Sequence, residues 1–291
     1  MEGSRIPKPV TAPASPVEQR PYDMRRLSYA GTFKNPVKAN AIRAIEWSTG
    51  KLKLLRLIRQ YERSGVPFGQ PFWPKAMETM GIDILTPDEQ VARIPKEGPV
   101  VVVANHPHGL VDGMVMAELI GRVRTDYKIL TRSLLTGIPE IAEFLIPVPF
   151  PHEDNARELG LEMRAECMAH LKQGGVIVLF PAGKVAHSPT WFGRAIESEW
   201  NPFTAKMVAR SGASVLPIYF PGGDTRLYLI ANLLSATMRQ GLLLHEIKCA
   251  LNRPQAPVIG HPIGPEELNA RGLGPTELLA WLREHTLGLR G

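Results

Sequence analysis

Very little in this sequence can crosslink the chain or carry it across a bilayer. Cysteine occurs only at Cys167 and Cys249. That is too sparse for a disulfide framework, and a reducing compartment is the expectation. No stretch approaches the roughly 20 consecutive apolar residues of a spanning helix. The most apolar long window, Leu227 to Leu244, is interrupted by Asn232, Ser235, Thr237, Arg239 and Gln240. Residues 1–35 lack the apolar core of a secretory signal. The expectation is therefore a chain that is soluble or bound to one membrane face, on the cytoplasmic side. No repeat of fixed period is evident. Nor are the basic residues interleaved with aromatics on a nucleic-acid-binding scaffold, so no nucleic acid is expected as partner.

What is present suits one large α/β domain with extensions: 291 residues, 44% of them hydrophobic. A formal charge of +6 favours anionic partners, among them an acidic carrier or an anionic lipid surface. Residues 1–35 place Pro7, Pro9, Pro13, Pro16 and Pro21 among polar residues, a composition that reads as a mobile arm. Residues 36–66 then carry apolar positions at helical spacing, with a break near Ser48-Thr49-Gly50. Their other face holds Arg43, Lys51, Lys53, Arg56, Arg59 and Arg63 against Glu46 and Glu62. Such a segment either lies on an anionic bilayer or packs as an ordinary surface helix.

Residues 67–291 read as the main domain. Val100 to Ala104, Thr125 to Leu130, Val176 to Phe180 and Val215 to Phe220 are strand-length runs. Gly113 to Val123, Ile138 to Leu145, Asn155 to Lys172 and Thr204 to Ser211 have the pattern of the helices between them. Apolar runs separated by helices indicate a mainly parallel sheet covered on both faces. In such sheets ligands gather at the carboxyl ends of the strands.

One of those ends concentrates the chemistry. The run Val101 to Gly113 delivers His106, His108 and Asp112 to a single short turn. Imidazole moves protons near neutral pH, and a carboxylate can orient it and stabilise the imidazolium. No Ser, Cys or Thr lies in the run, so the simplest chemistry is activation of a hydroxyl that belongs to the substrate. The spacing leaves open which imidazole acts. His106 stands at the strand end with five residues between it and Asp112, whereas three separate His108 from it, a helical-turn interval. The same residues could instead open a metal site, although His152, His187 and His261 form no recognisable second cluster. Asp112 could also be merely a helix cap, and the whole chain a non-catalytic binder of anionic membranes.

Asn105-His106 with Asp112, then Phe180-Pro181-Ala182-Gly183, then Val215-Leu216-Pro217-Ile218 resembles the ordered blocks of the phospholipid/glycerol acyltransferase superfamily. The alanine at Ala182 is similar to the bacterial hemolysin-like, aminolipid-forming branch. The resemblance covers roughly residues 75–265 and implies transfer of a fatty acyl group from acyl-CoA or acyl carrier protein to the free hydroxyl of a lysolipid. Lysophosphatidic acid or a lyso-aminolipid such as lyso-ornithine lipid would be the acceptor. No bound cofactor or metal is implied. His106 would be the general base and Asp112 its partner, with an interval one residue longer than the family's usual one; His108 is the alternative base. Asn105, Gly109, Phe180, Pro181, Ala182, Gly183 and Lys184 would face substrate, and Arg132 and Arg194 the acceptor's headgroup. Where Ala182 stands the family usually has Glu, so no carboxylate acts at that position. The expected location is the cytoplasmic face of the inner membrane, held peripherally.

Overall fold

The computed structural model describes residues 22–23, 27–32, 35–131, 135, 137–149, 155–186, 188, 190–191, 193 and 195–290. Its helices and strands are α1 (Pro36–Thr49), α2 (Lys51–Arg63), α3 (Phe72–Met80), α4 (Asp88–Val91), β1 (Val100–Ala104), α5 (Leu110–Gly121), β2 (Tyr127–Thr131), β3 (Leu145–Pro147), α6 (Ala156–Lys172), β4 (Val176–Leu179), α7 (Pro202–Ser211), β5 (Ser214–Tyr219), α8 (Arg226–Leu234), α9 (Ala236–Gly241), α10 (Leu243–Ala250), β6 (Val258–Ile259), α11 (Pro265–Ala270) and α12 (Pro275–Gly288). The strands form one sheet of order β3-β2-β4-β1-β5-β6. All neighbours pair in parallel except β5 with β6.

The unbroken valine run of β1 fits its position. A strand at the centre of a parallel sheet is covered on both faces and needs apolar residues at every position. Val100, Val102 and Ala104 enter one core with residues of α2, α3, α5 and α10. Val101 and Val103 enter a second with Cys167 and Leu171 of α6, Val208 of α7 and Leu282 of α12. This is the α/β architecture expected, with helices on both faces and two amphipathic helices leading in.

Several details differ from the sequence reading. The segment expected as a helix over Ile138 to Leu145 divides into a 3₁₀ turn, Pro139–Phe144, and the edge strand β3. β3 pairs with β2, Leu145 in register with Ile129, and three residues are too few to show a period of two. α5 begins at Leu110 rather than Gly113, which places Asp112 in its first turn. The proline-rich start was expected to be an arm, and most of it lies outside the described residues. Within it, however, Leu27 and Ala30 are buried, because Tyr29 N–H and the Ser28 hydroxyl donate to the buried Glu46 of α1 at 2.7 and 2.6 Å. Gly50 breaks the first two helices as expected; a Cβ there would come within 3.2 Å of the Leu244 carbonyl of α10.

Candidate active site

Three strand ends lie side by side. Val103 of β1 is in register with Leu179 of β4, and Ala104 with Ile218 of β5. Asn105-His106, Phe180-Pro181 and Phe220-Pro221 therefore leave the sheet next to one another. Asn105 extends the β1–β5 pairing with its side chain, Nδ2 donating to the Phe220 carbonyl at 2.8 Å and Oδ1 accepting from Phe220 N–H at 2.7 Å. The amide replaces one more rung of the ladder.

His106 is held through its backbone and its ring. Its N–H donates to Glu197 Oε2 at 3.3 Å and its carbonyl accepts from Ala186 N–H at 3.0 Å. The ring stacks on Phe180 with centroids 4.0 Å apart and planes at 19°. Nδ1 lies 3.0 Å from Oδ2 of Asp112, a carboxylate with no exposure to solvent. A carboxylate oxygen only accepts, so Nδ1 carries the proton of this bond and Nε2 keeps the lone pair.

The extra residue in the His–Asp interval is absorbed before the helix. Gly109 starts α5 with φ 62° and ψ −124°, a conformation open to glycine and strained for any side chain. His108 thus lies outside the helix, and its backbone N–H, not its ring, reaches Asp112 Oδ2 at 2.8 Å. The His108 ring turns to β5, where Nε2 lies 2.9 Å from the Pro221 carbonyl. It packs on Gly222, where a Cβ would come within 3.0 Å of Cε1 and Nε2. Each imidazole therefore has its own partner, His106 the carboxylate and His108 a carbonyl.

A cavity of about 530 Å³ opens at these strand ends. Of the residues expected at the site, His106, Gly109, Phe180, Pro181, Gly183 and Lys184 line it. Asn105, His108, Asp112 and Ala182 do not: Asn105 is occupied by the Phe220 backbone, Asp112 lies behind His106, and Ala182 packs against the second core. The Asn105 side chain forms a tie between the ends of β1 and β5. Arg132 and Arg194 lie outside the described residues, as do His152 and His187. Among the described residues, no three His, Cys, Asp or Glu side chains are grouped to hold a metal.

Two carboxyls near the dyad, Glu197 buried and Asp224 half-buried, escaped the sequence reading. Glu197 also accepts from Trp200 Nε1 at 3.3 Å; burial pushes its carboxyl up, and the bond from the His106 N–H acts against that rise. Nothing local in Glu197-Ser198-Glu199 marks the first glutamate as the buried one. Asp224 follows the β5 end, a position that signals a site, and its Oδ2 is buried without a partner. Near it stands Glu246, whose two oxygens accept from the Thr225 N–H at 2.7 Å and hydroxyl at 2.6 Å. Burial, with the charges of Glu246 and Asp112 nearby, pushes the Asp224 carboxyl up to about 9. The folded protein thus keeps a proton that an unfolded aspartate releases near pH 4, and this cost grows as pH rises from about 4 to about 9. Asp224→Asn copies the protonated shape without needing the proton. In thermal unfolding from pH 5 to pH 9, the variant is expected to lie closest to wild type at the acid end. Its advantage should then grow by up to about 1.4 kcal/mol per pH unit toward pH 8; a constant difference across the range would refute the assignment.

Residues 70–244 match the family model described as acyltransferase. The chain belongs to this family. The matched stretch of the acyltransferase holds the His106–Asp112 pair, all three motif blocks and nearly the whole cavity lining, so the resemblance carried by the blocks is borne out at family level. Among solved structures, the 1-acyl-sn-glycerophosphate (LPA) acyltransferase PlsC from Thermotoga maritima is similar. Its sequence identity is 17% and its TM-score 0.49, over 89% of this acyltransferase and 83% of that chain. No curated protein matches.

Proposed function

We propose that this acyltransferase moves a fatty acyl group from a thioester, acyl-CoA or acyl carrier protein, to the free hydroxyl of a lysolipid. The observation that carries the reading is the His106–Asp112 pair, its Nδ1 bonded at 3.0 Å and the histidine lining a cavity whose β2–β3 side is apolar. His106 Nε2 takes the proton of the acceptor hydroxyl as that oxygen attacks the thioester carbonyl carbon. The C–O bond forms and the C–S bond breaks when the tetrahedral intermediate collapses. The imidazolium then returns its proton to the thiolate, giving an ester and a free thiol. Asp112 supports the imidazolium throughout. No covalent acyl-enzyme enters this sequence. The test is incubation with a labelled acyl thioester and a panel of lysolipids, among them lysophosphatidic acid and lyso-ornithine lipid. A new diacyl product identified by mass is expected, and hydrolysis alone in every case would overturn the reading.

Such acceptors reside in membranes, and the proposed location is peripheral, on the cytoplasmic face of the inner membrane. No helix among the described residues is long and apolar enough to cross a membrane. α2 leaves Lys53, Arg56 and Arg59 largely at its surface beside Leu52, and Trp47 of α1 is half exposed. The protein is expected to float with vesicles containing anionic lipid, and to lose that binding in high salt or when Lys53, Arg56 and Arg59 are changed to glutamate. Equal flotation with neutral vesicles would count against this surface.

A further inference from the structure

The cavity has two chemically different ends, and the order of the strands sets which is which. Toward the β3 edge the lining is mainly apolar, with Ile129, Leu130, Leu145 and Met163, and the Arg164 guanidinium of α6 lies over the Phe203 ring, 5.6 Å from its centroid. His106 sits mid-sheet, at the end of β1. Beyond β5, α8 and α9 contribute Tyr228, Arg239 and Gln240. An acyl chain suits the first end. The second holds a cation with little to neutralise it.

Arg239 is half-buried, and one guanidinium nitrogen donates to Asn232 Oδ1 at 3.0 Å. Among the described residues it forms no ion pair. Glu246 is already committed, because its two oxygens accept from the Thr225 N–H and hydroxyl. A guanidinium binds phosphate or carboxylate through paired hydrogen bonds, and more strongly where water is partly excluded. We propose that Arg239 binds the anionic group of the acyl acceptor, phosphate or carboxylate, at the α8–α9 end of the cavity. The proposal rests on the acyl-transfer reading above. It gives the headgroup a site across His106 from the apolar end, and so orients the acceptor's hydroxyl toward Nε2.

The test separates the two readings by measuring binding without turnover. Calorimetric titrations with no thioester present would use short-chain lysophosphatidic acid, lyso-ornithine lipid and, as an uncharged control, monoacylglycerol. In Arg239→Ala, affinity for the first two is expected to fall about 10- to 100-fold, with a smaller fall in Arg239→Lys and no change for monoacylglycerol. A fall for only one of the two anions would identify the natural headgroup as phosphate or carboxylate. Equal affinity of wild type and Arg239→Ala for both anionic lipids would overturn the proposal, as would an equal loss for monoacylglycerol. If wild type binds the anionic lipids through Arg239 but forms no diacyl product, the acyl-transfer reading fails and the anion site stands.

Discussion

His106→Ala is expected to lower acyl transfer by about 10²- to 10⁴-fold, the range that a positioned general base contributes. The fold should survive, because the histidine's backbone bonds to Glu197 and Ala186 need no imidazole. Asp112→Asn should cost a similar factor. An amide in place of the carboxylate still fills the buried space and accepts one hydrogen bond, but it gives no charge to stabilise the imidazolium. His108→Ala should be much milder in turnover, since that ring touches the Pro221 carbonyl and not the carboxylate. The measurement is initial rate with labelled thioester, run beside thermal unfolding of each variant. Full activity in His106→Ala with loss in His108→Ala would reverse the assignment of the base.

The second large effect is on stability, and it falls on a residue outside the cavity lining. Asn105→Leu preserves approximate size but removes both bonds to Phe220. The Phe220 N–H and carbonyl are then left buried without partners, at about 1–3 kcal/mol each. A loss of about 2–4 kcal/mol in denaturant unfolding is expected. Asn105→Asp should be intermediate: its oxygens can still accept from the Phe220 N–H, but nothing then donates to the carbonyl. A loss below about 0.5 kcal/mol in Asn105→Leu would show that the tie carries little. Turnover should fall too, because Asn105 fixes the point from which His106 leaves the sheet.

Much of the architecture follows from local pattern. Val100 to Ala104 could only be a strand buried on both faces, and the helix break before Lys51 sits where Gly50 stands. The α6 helix ends where Gly174-Gly175 interrupt it. The weak points were short elements. β3 and β6 have three and two residues, and pairing with a neighbour, not their own composition, makes them strands.

The sequence by itself determined the chemistry on offer: a strand end with two imidazoles and one carboxylate, followed in order by two more strand ends of the acyltransferase pattern. It could not choose the imidazole, because counting residues assumes a conformation for the turn. On a continuous helix, the His108–Asp112 interval would bring those side chains together. The tertiary structure decided otherwise. Gly109, at positive φ, delays the helix until Leu110, so Oδ2 of Asp112 meets both the His106 ring and the His108 backbone N–H. Arg239, Glu197 and Asp224 likewise acquired meaning only from what packs against them. A cavity and a buried carboxyl arise where distant segments meet, and no local spacing records that meeting.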